Sequence, residues 1–225
     1  RFAPSLDGRT VVYSAAWEGG PLDVYEAGSG REGRSRQLSE AQLLAASPGG
    51  DLAVALHARA PMFGFHLGLL ALVSQNGTTR TMAPDVASAD FPRGGVTGPA
   101  ITREASPTSW VVEWPIGTPI HRSDRASTNV RVAPDGRRLA WIETTSAGTS
   151  RVMVGGPGQT ARAVLTQPAS AGGLAWSPDG TELWYTAQRS LTLDDSEIRA
   201  VTPAGAVRPV LRQAGGLRLL DVEPD

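Results

Sequence analysis

The sequence predicts an all-β fold, a β-propeller made of four-stranded antiparallel blades. A glycine-bearing turn recurs along the whole chain, with spacings of 42 or 44 residues, at Gly8, Gly50, Gly94, Gly136 and Gly180. Short β-rich runs flank each turn, and the periodicity of an amphipathic helix is missing between them. Four strands in a repeat of about 40 to 50 residues is the period of a propeller blade.

The chemistry of the recurring turn explains why a strand ends there. The marker reads Pro134-Asp135-Gly136 in one repeat and Pro178-Asp179-Gly180 in the next. Pro fixes φ at a turn position, Asp can bond its own backbone, and Gly accepts a positive φ. Asp7 and Asp225 stand at the same turn of other repeats, and turns of different blades are spread around a ring. We therefore interpret these aspartates as structural and not as paired catalytic or metal-binding carboxylates.

Strand-like runs follow each marker in a fixed order. The second runs of the blades are predicted at Thr10–Tyr13, Leu52–Leu56, about Pro99–Thr102, Leu139–Ile142 and Leu183–Thr186. The third runs are predicted at Leu22–Tyr25, Leu67–Val73, Trp110–Trp114, Arg151–Val154 and Glu197–Val201. Fourth runs include Ala161–Leu165 and Val207–Leu211.

The repeats predict one domain of five blades plus the first strand of a sixth. The approximate boundaries are 1–40, 41–84, 85–126, 127–169, 170–213 and a partial repeat over 214–225. We expect the chain to be a piece of a longer protein and the ring to be incomplete. In that open arc, Leu217–Val222 is expected to be a lone inner strand.

Composition excludes several classes of function. The formal net charge is -1, so the sequence shows no electrostatic footprint for nucleic acid or an anionic membrane. All 21 basic residues are arginine. The absence of cysteine excludes disulfides, thiolate nucleophiles and cysteine-based metal sites. No apolar run approaches the roughly 18 residues of a membrane-spanning helix.

Motifs that would carry catalysis are also missing from the sequence. It contains no G-x-S-x-G nucleophile elbow, no P-loop, and no kinase glycine-rich loop or H-R-D triplet. The three histidines are His57, His66 and His121, and none stands in a ligand-like spacing. A chance metal pair of His57 and His66, which flank one loop, is the alternative to ordinary surface roles. We predict no enzymatic activity, no cofactor and no metal for this chain.

Candidate binding residues lie in loops that a propeller places on one rim. Trp17 lies in the loop after the second strand of blade one, and Phe63 lies in the matching loop of blade two. Such aromatic residues either anchor a partner or fold back over their blade. Arg59, Arg125 and Arg189 are the cations of this rim. The sequence predicts a protein, peptide or small-molecule ligand there.

The predicted rim is formed by the connections between second and third strands. These are Trp17–Leu22, His57–His66, Arg103–Pro107, Thr144–Ser150 and Gln188–Ser196, with inter-blade turns near Arg125 and Gly172. Trp141, Trp176 and Trp184 are predicted to fill the wedges between neighbouring blades, where a large ring packs well.

Two resemblances add to this interpretation. The phrases Leu174–Gly180 and Val130–Gly136, each followed by an apolar–aromatic strand, resemble TolB-type β-propeller repeats. The series Phe2–Tyr25, then Glu113–Gly117, then Leu174–Ala187 is similar to the propeller region of bacterial membrane-anchored serine/threonine protein kinases. That resemblance implies a sensor outside the cytoplasm, with a kinase and a membrane helix preceding it.

Two other roles are consistent with the same repeats. One is the gating propeller of a prolyl-oligopeptidase-like peptidase whose hydrolase part lies outside this chain. The other is a TolB-like periplasmic scaffold that binds a lipoprotein partner. Any contact with a membrane would come from a parent segment that is not in this sequence.

Overall fold

The described part of the chain contains nineteen strands, and the predicted all-β fold is confirmed. The computed structural model describes residues 2–4, 10–28, 33–59, 66–94, 98–145, 147–167, 171–188, 196–213 and 216–222, with residues 2–4 described by backbone alone. Within these ranges there is no helix, and therefore none that could span a membrane.

The strands form four antiparallel sheets in chain order. The first sheet contains β1 (Phe2–Pro4), β2 (Thr10–Ala15), β3 (Asp23–Gly28) and β4 (Arg34–Ser35). The second contains β5 (Ala41–Ala46), β6 (Leu52–Arg59), β7 (Leu67–Val73), β8 (Thr79–Asp90), β9 (Ala100–Ser106), β10 (Ser109–Glu113) and β11 (Pro119–Ser123). The third contains β12 (Ala126–Val132), β13 (Leu139–Thr144), β14 (Ser150–Gly156) and β15 (Gln159–Gln167). The fourth contains β16 (Ala171–Trp176), β17 (Leu183–Gln188), β18 (Ser196–Val201) and β19 (Val207–Arg212).

The second sheet joins two blades through one long strand. The first part of β8 pairs with β7 as the outer strand of blade two, and its last part pairs with β9 as the inner strand of blade three. The change of partner occurs at Asp85, whose φ of 54° is left-handed, next to a register shift between Val86 and Ser88. Blades two and three are therefore continuous in their main-chain hydrogen bonds, whereas the sequence analysis separates them by a boundary after residue 84.

The recurring glycine turns lie between the first and second strands of their blades. Gly50, Gly136 and Gly180 have φ values of 85°, 64° and 69°, and each donates its N–H to the carbonyl three residues earlier. Gly94 also lies between an inner strand and its partner, but its φ is not in the left-handed region. Gly8 lies outside the described residues.

Four hydrophobic clusters fill the spaces between neighbouring blades. Val12 and Val24 of blade one pack against blade two, and Leu70 of blade two packs against Ile101 of blade three. The next cluster joins blade three to Trp141 of blade four, and the last joins blade four to blade five. The core is therefore a chain of face-to-face contacts between sheets. No ladder connects the first described sheet with the last, so the ring is not closed.

The tryptophan predictions are confirmed at two positions and wrong at the third. Trp141 is fully buried and Trp176 is 4% exposed, each within an inter-blade cluster. Trp184 is only half-buried and belongs to no cluster. Because side chains alternate along a strand, Tyr185 occupies the position equivalent to Trp141, and Trp184 faces the other side of its sheet.

Residues 216–222 follow the last sheet without joining it. The backbone N–H groups of Leu217 and Leu219 donate to Ser196 Oγ at 2.6 Å and Thr186 Oγ1 at 2.8 Å. Arg131, on the inner strand of blade four, donates to the carbonyl oxygens of Leu174 and Leu220, both at 2.6 Å. This segment runs where the sequence predicts a lone inner strand, and it forms no ladder with any described strand.

Candidate functional site

An exposed aromatic row lies on the side of blade one that faces away from blade two. The Trp17 side chain is 60% exposed, and its ring meets the Tyr25 ring edge-on with centroids 6.2 Å apart. Tyr25 in turn stacks on Tyr13 at 5.7 Å, because the two residues are direct partners across β2 and β3. Val11, which is 38% exposed, lies on the same face of β2 as Tyr13 because side chains alternate along a strand. We call Val11, Tyr13, Trp17 and Tyr25 the aromatic face.

The hairpin that carries Trp17 is fixed by its own backbone. Gly20 donates its N–H to the Trp17 carbonyl at 2.8 Å, and Glu18 and Gly19 both adopt positive φ. A tight turn closed in this way limits the number of positions that the Trp17 backbone can take. A pre-ordered aromatic side chain loses little conformational entropy when it binds, which favours a contact role.

A cavity of about 380 Å³ opens where blades one and two meet at the rim. Its described lining is Pro21, Leu22, Glu40, Gln42, His57, Ala58 and His66. His57 Nδ1 lies 2.5 Å from the Glu40 carboxylate, and the His57 backbone N–H donates to the Glu40 carbonyl. Both histidines line this cavity, but no group of three or more His, Asp or Glu side chains within the described ranges could hold a metal ion.

Arg59 is engaged by two carboxylates of neighbouring strands. Its guanidinium donates to Asp85 at 2.9 Å and to Glu104 at 3.2 Å. The hydrogen bond that Arg59 donates to Asp85 is the main cause of a raised Arg59 pKa, and the bond to Glu104 adds to it. Partial burial of the guanidinium acts in the opposite direction. The cation therefore bridges blades two and three, and an incoming anion would compete with two existing partners.

A histidine–glutamate pair connects blades three and four. His121 Nε2 lies 2.8 Å from Glu143 Oε1, and the Glu143 side chain is 3% exposed. Burial by itself raises the pKa of Glu143, but the bond and charge of His121 hold that pKa below its usual value. The His121 ring packs at 5.4 Å from Trp141. The buried Glu143 carboxylate thus orients the His121 imidazole and connects blade four to blade three.

The remaining predicted rim residues are spread along the arc. The Arg125 guanidinium lies 3.9 Å from Asp124, and its backbone N–H donates to Ser123 Oγ. Phe63 and Arg189 lie outside the described residues. Arg103–Ser106 belongs to β9 and not to the predicted loop, because the turn into β10 takes only Pro107 and Thr108. Trp17, Arg59 and Arg125 thus lie at three different blade positions and are not brought together by any contact in the described structure.

The aspartates of the turns accept hydrogen bonds from neighbouring residues of the same turn. Asp135 accepts the Arg137 N–H at 2.9 Å, and Asp179 accepts the Thr181 N–H at 3.0 Å and the Ser177 hydroxyl. These bonds are those expected of structural turn residues.

The sequence did not single out Tyr13, Tyr25 or Glu40. Tyr13 stands at the same distance from its glycine marker as Trp141 and Tyr185, which are both fully buried between blades. That shared register could have identified Tyr13 as part of an apolar face. The pairing of Glu40 with His57 depends on the connection between two blades and leaves no local pattern.

Solved structures share this architecture. TolB from Acinetobacter baumannii superposes with a TM-score of 0.66 at 14% sequence identity, over 96% of this chain and 55% of that protein. A putative TolB from Agrobacterium tumefaciens gives a TM-score of 0.60 at 15% identity, over 96% and 81% respectively. The fold is a TolB-like β-propeller.

Peptidases share the fold as well. A prolyl endopeptidase structure matches with a TM-score of 0.60 at 14% identity, over 93% of this chain and 34% of that protein. This chain therefore spans about half of the A. baumannii TolB and about a third of the prolyl endopeptidase. No protein-family model matches the sequence. No curated protein matches it either.

Proposed function

We propose that this chain is a non-enzymatic recognition module that binds a protein or peptide through the aromatic face of blade one. The observation that carries this proposal is Trp17, which is 60% exposed and is held by Tyr25 on a tight hairpin. Tryptophan and tyrosine are the residues that most often supply binding energy at protein interfaces. Among the described residues, no group of three or more His, Asp or Glu side chains could hold a metal ion.

The parent protein in this proposal is a receptor-type serine/threonine kinase, with the propeller outside the cytoplasm as its sensor or scaffold. Support comes from the order of the Phe2–Tyr25, Glu113–Gly117 and Leu174–Ala187 series in the sequence. The similarity to a prolyl endopeptidase favours a second role, the gating propeller of a peptidase. The similarity to TolB favours a third, a periplasmic scaffold.

The coding sequence around this segment distinguishes the three roles. A kinase domain followed by a membrane helix upstream supports the sensor. A domain with a G-x-S-x-G elbow supports the gating propeller, and a signal peptide without either supports the scaffold. Purified chain is expected to turn over neither ATP nor peptides.

Selection from a random peptide library tests the recognition surface directly. Peptides enriched on the wild-type chain should lose about tenfold or more in affinity for Trp17→Ser, because a central aromatic anchor contributes about 2 kcal/mol or more. Leu211→Ser is the matched control, since Leu211 is 45% exposed on β19, away from the aromatic face. Enriched peptides that bind both variants as tightly as the wild type would exclude the aromatic face as the binding surface.

A further inference from the structure

The cavity between blades one and two is lined by side chains that can accept hydrogen bonds. Gln42 lies on the inner strand β5, Glu40 directly precedes that strand, and His57 lies in the second strand β6. An apolar part of the lining is formed by Pro21 and Leu22, which directly precede β3. The cavity volume of about 380 Å³ falls within the range of small-ligand sites in proteins, about 300–1,000 Å³.

The Gln42 amide carries a polar atom that the protein itself leaves unsatisfied. Its Oε1 atom is buried and accepts no hydrogen bond within the described part of the chain. The polar atoms buried inside proteins are nearly always hydrogen-bonded, because a buried acceptor without a donor costs free energy. A donor that enters the cavity with a ligand would remove this cost.

Glu40 and His57 hold each other in place at the cavity wall. His57 Nδ1 lies 2.5 Å from Glu40 Oε2, and the backbone N–H of His57 donates to the Glu40 carbonyl at 2.8 Å. In a neutral imidazole the nitrogen that faces a carboxylate carries the proton, so Nε2 of His57 is left as an acceptor. The pair therefore contributes a carboxylate and an imidazole nitrogen that both accept hydrogen bonds.

The backbone at these two residues is unusual for residues that carry a side chain. Glu40 has a φ of 54° and His57 has a φ of 49°, both in the left-handed region. Among the second strands β2, β6, β9, β13 and β17, which are all described, only β6 contains a left-handed residue. Backbone strain of this kind concentrates at ligand-binding and active sites. The strain in β6 is therefore a property of this cavity and not of second strands in general.

The charges around the cavity favour a cation. Glu40 is the only residue of the described lining that carries a formal charge when histidine is neutral. A second carboxylate lies next to it, because Asp23 Oδ1 accepts the Glu40 N–H at 3.2 Å. Arg59 is engaged by Asp85 and Glu104 and does not belong to the described lining. A primary ammonium group has three N–H donors and no acceptor, which complements a wall of acceptors.

We infer that this cavity binds a small organic cation, a primary ammonium group on a short aliphatic stem. The ammonium group donates to the Glu40 carboxylate, the Gln42 amide oxygen and His57 Nε2. The stem lies against Pro21 and Leu22. None of the four residues of the aromatic face belongs to the described lining, so this inference stands or falls independently of the proposed function.

Titration of n-pentylammonium chloride into the chain at constant ionic strength tests the inference. In NMR spectra, the backbone amide signals of Leu22, Gln42 and Ala58 should shift with one common dissociation constant, of about millimolar for a ligand with so few atoms. 1-Pentanol lacks the charge and pentanoate reverses it, so each should bind about tenfold or more weakly than the amine. Binding of either control as tight as that of the amine would overturn the inference.

A variant of Glu40 tests the contribution of the charge. Glu40→Gln keeps the size of the side chain and should weaken amine binding about tenfold or more, because a charge-assisted hydrogen bond is lost. Asp124→Asn is the matched control, since the Asp124 side chain is 86% exposed between β11 and β12, away from this cavity. This control should leave amine binding unchanged, and an equal loss in both variants would contradict a specific role of Glu40.

Gln42→Met separates a ligand-binding role from a structural one. Methionine has nearly the same size as glutamine and no amide, so the melting temperature of the free chain should stay the same or rise. Amine binding should nevertheless weaken about tenfold, because one acceptor of the ammonium group is removed. Melting scans without ligand and the same NMR titration measure the two effects. Amine binding that is unchanged in both Glu40→Gln and Gln42→Met would overturn the inference.

Discussion

Trp176 and Trp184 test, at the level of single residues, which rings stabilise the blade junctions. Trp176 is 4% exposed and its indole N–H lies 3.3 Å from the Arg131 carbonyl of the preceding blade. Trp176→Ala should lower the free energy of unfolding by about 3–5 kcal/mol, because it leaves a cavity between two sheets. Trp184→Ala should cost less than about 2 kcal/mol, since the half-buried ring keeps part of its hydration in the folded state. The urea midpoints of the two variants, compared at constant m-value, measure both losses of stability. Equal losses for Trp176→Ala and Trp184→Ala would contradict the assignment of Trp176 alone to a blade junction.

The pair of His121 and Glu143 makes one part of the stability depend on pH. The pKa of Glu143 is lowered in the folded state, so its contribution is present above the usual glutamate pKa of about 4.3 and is lost as the pH falls through the lowered value. His121→Gln removes the charge that opposes the effect of burial. The loss of stability caused by this variant should therefore be largest above the usual glutamate pKa and should shrink as the pH falls through the lowered pKa of Glu143. Urea unfolding over a pH series across this range measures it, with His57→Gln, at an exposed pair, as the control.

The sequence identified some of these residues and missed others for physical reasons. The burial of Trp176 and the turn role of Asp179 follow from local pattern, since a turn signal sets the register of the strands beside it. The environment of Trp184 depends on which side of β17 faces blade four, and a shift of one residue reverses it. The partners of Arg59 come from another blade and the partner of His57 from the connection before β5, and a single sequence does not record such contacts.

At the scale of elements, the turn glycines provide a matched pair of backbone tests. Gly136 has a φ of 64° and Gly94 does not have a positive φ, and an added Cβ would meet no atom within 4 Å at either position. Gly136→Ala should therefore cost about 1–2 kcal/mol through backbone strain alone. Gly94→Ala should be close to neutral. Thermal or urea unfolding of the two variants measures these two costs. An equal cost would mean that the glycines recur at this spacing for a reason other than their backbone conformation.

Strand positions were predicted more accurately than the connections between blades. The third run Leu67–Val73 coincides with β7, and the run near Pro99–Thr102 appears as β9, Ala100–Ser106. The continuity of β8 was not predicted, because the repeat spacing places a blade boundary after residue 84, inside this strand. The left-handed Asp85 lets the strand change partner without interrupting its hydrogen bonding, and only the pairing of both neighbouring strands shows this.

For the whole molecule, the contacts between sheets predict an order of opening. Blade one contributes only Val12 and Val24 to its buried cluster with blade two among the described residues. Blades two and three are joined both by a cluster that includes Leu70 and Ile101 and by the main-chain ladder through β8. In repeat architectures each unit is stabilised mainly by its neighbours, so an end blade with a small interface should open before a blade with two interfaces.

Native-state hydrogen exchange at increasing urea concentration measures this order. Amides of β2 and β3 should follow an opening reaction of lower free energy, whereas amides of β6, β7, β9 and β10 should share one of higher free energy. Val24→Ala should speed exchange in blade one and leave the second sheet unchanged, because Val24 touches only one interface. Ile101→Ala should speed exchange on both sides of β8, since blades two and three share one hydrogen-bonded sheet. A single opening reaction common to all these strands, shifted equally by both variants, would instead show that the arc unfolds as one cooperative unit.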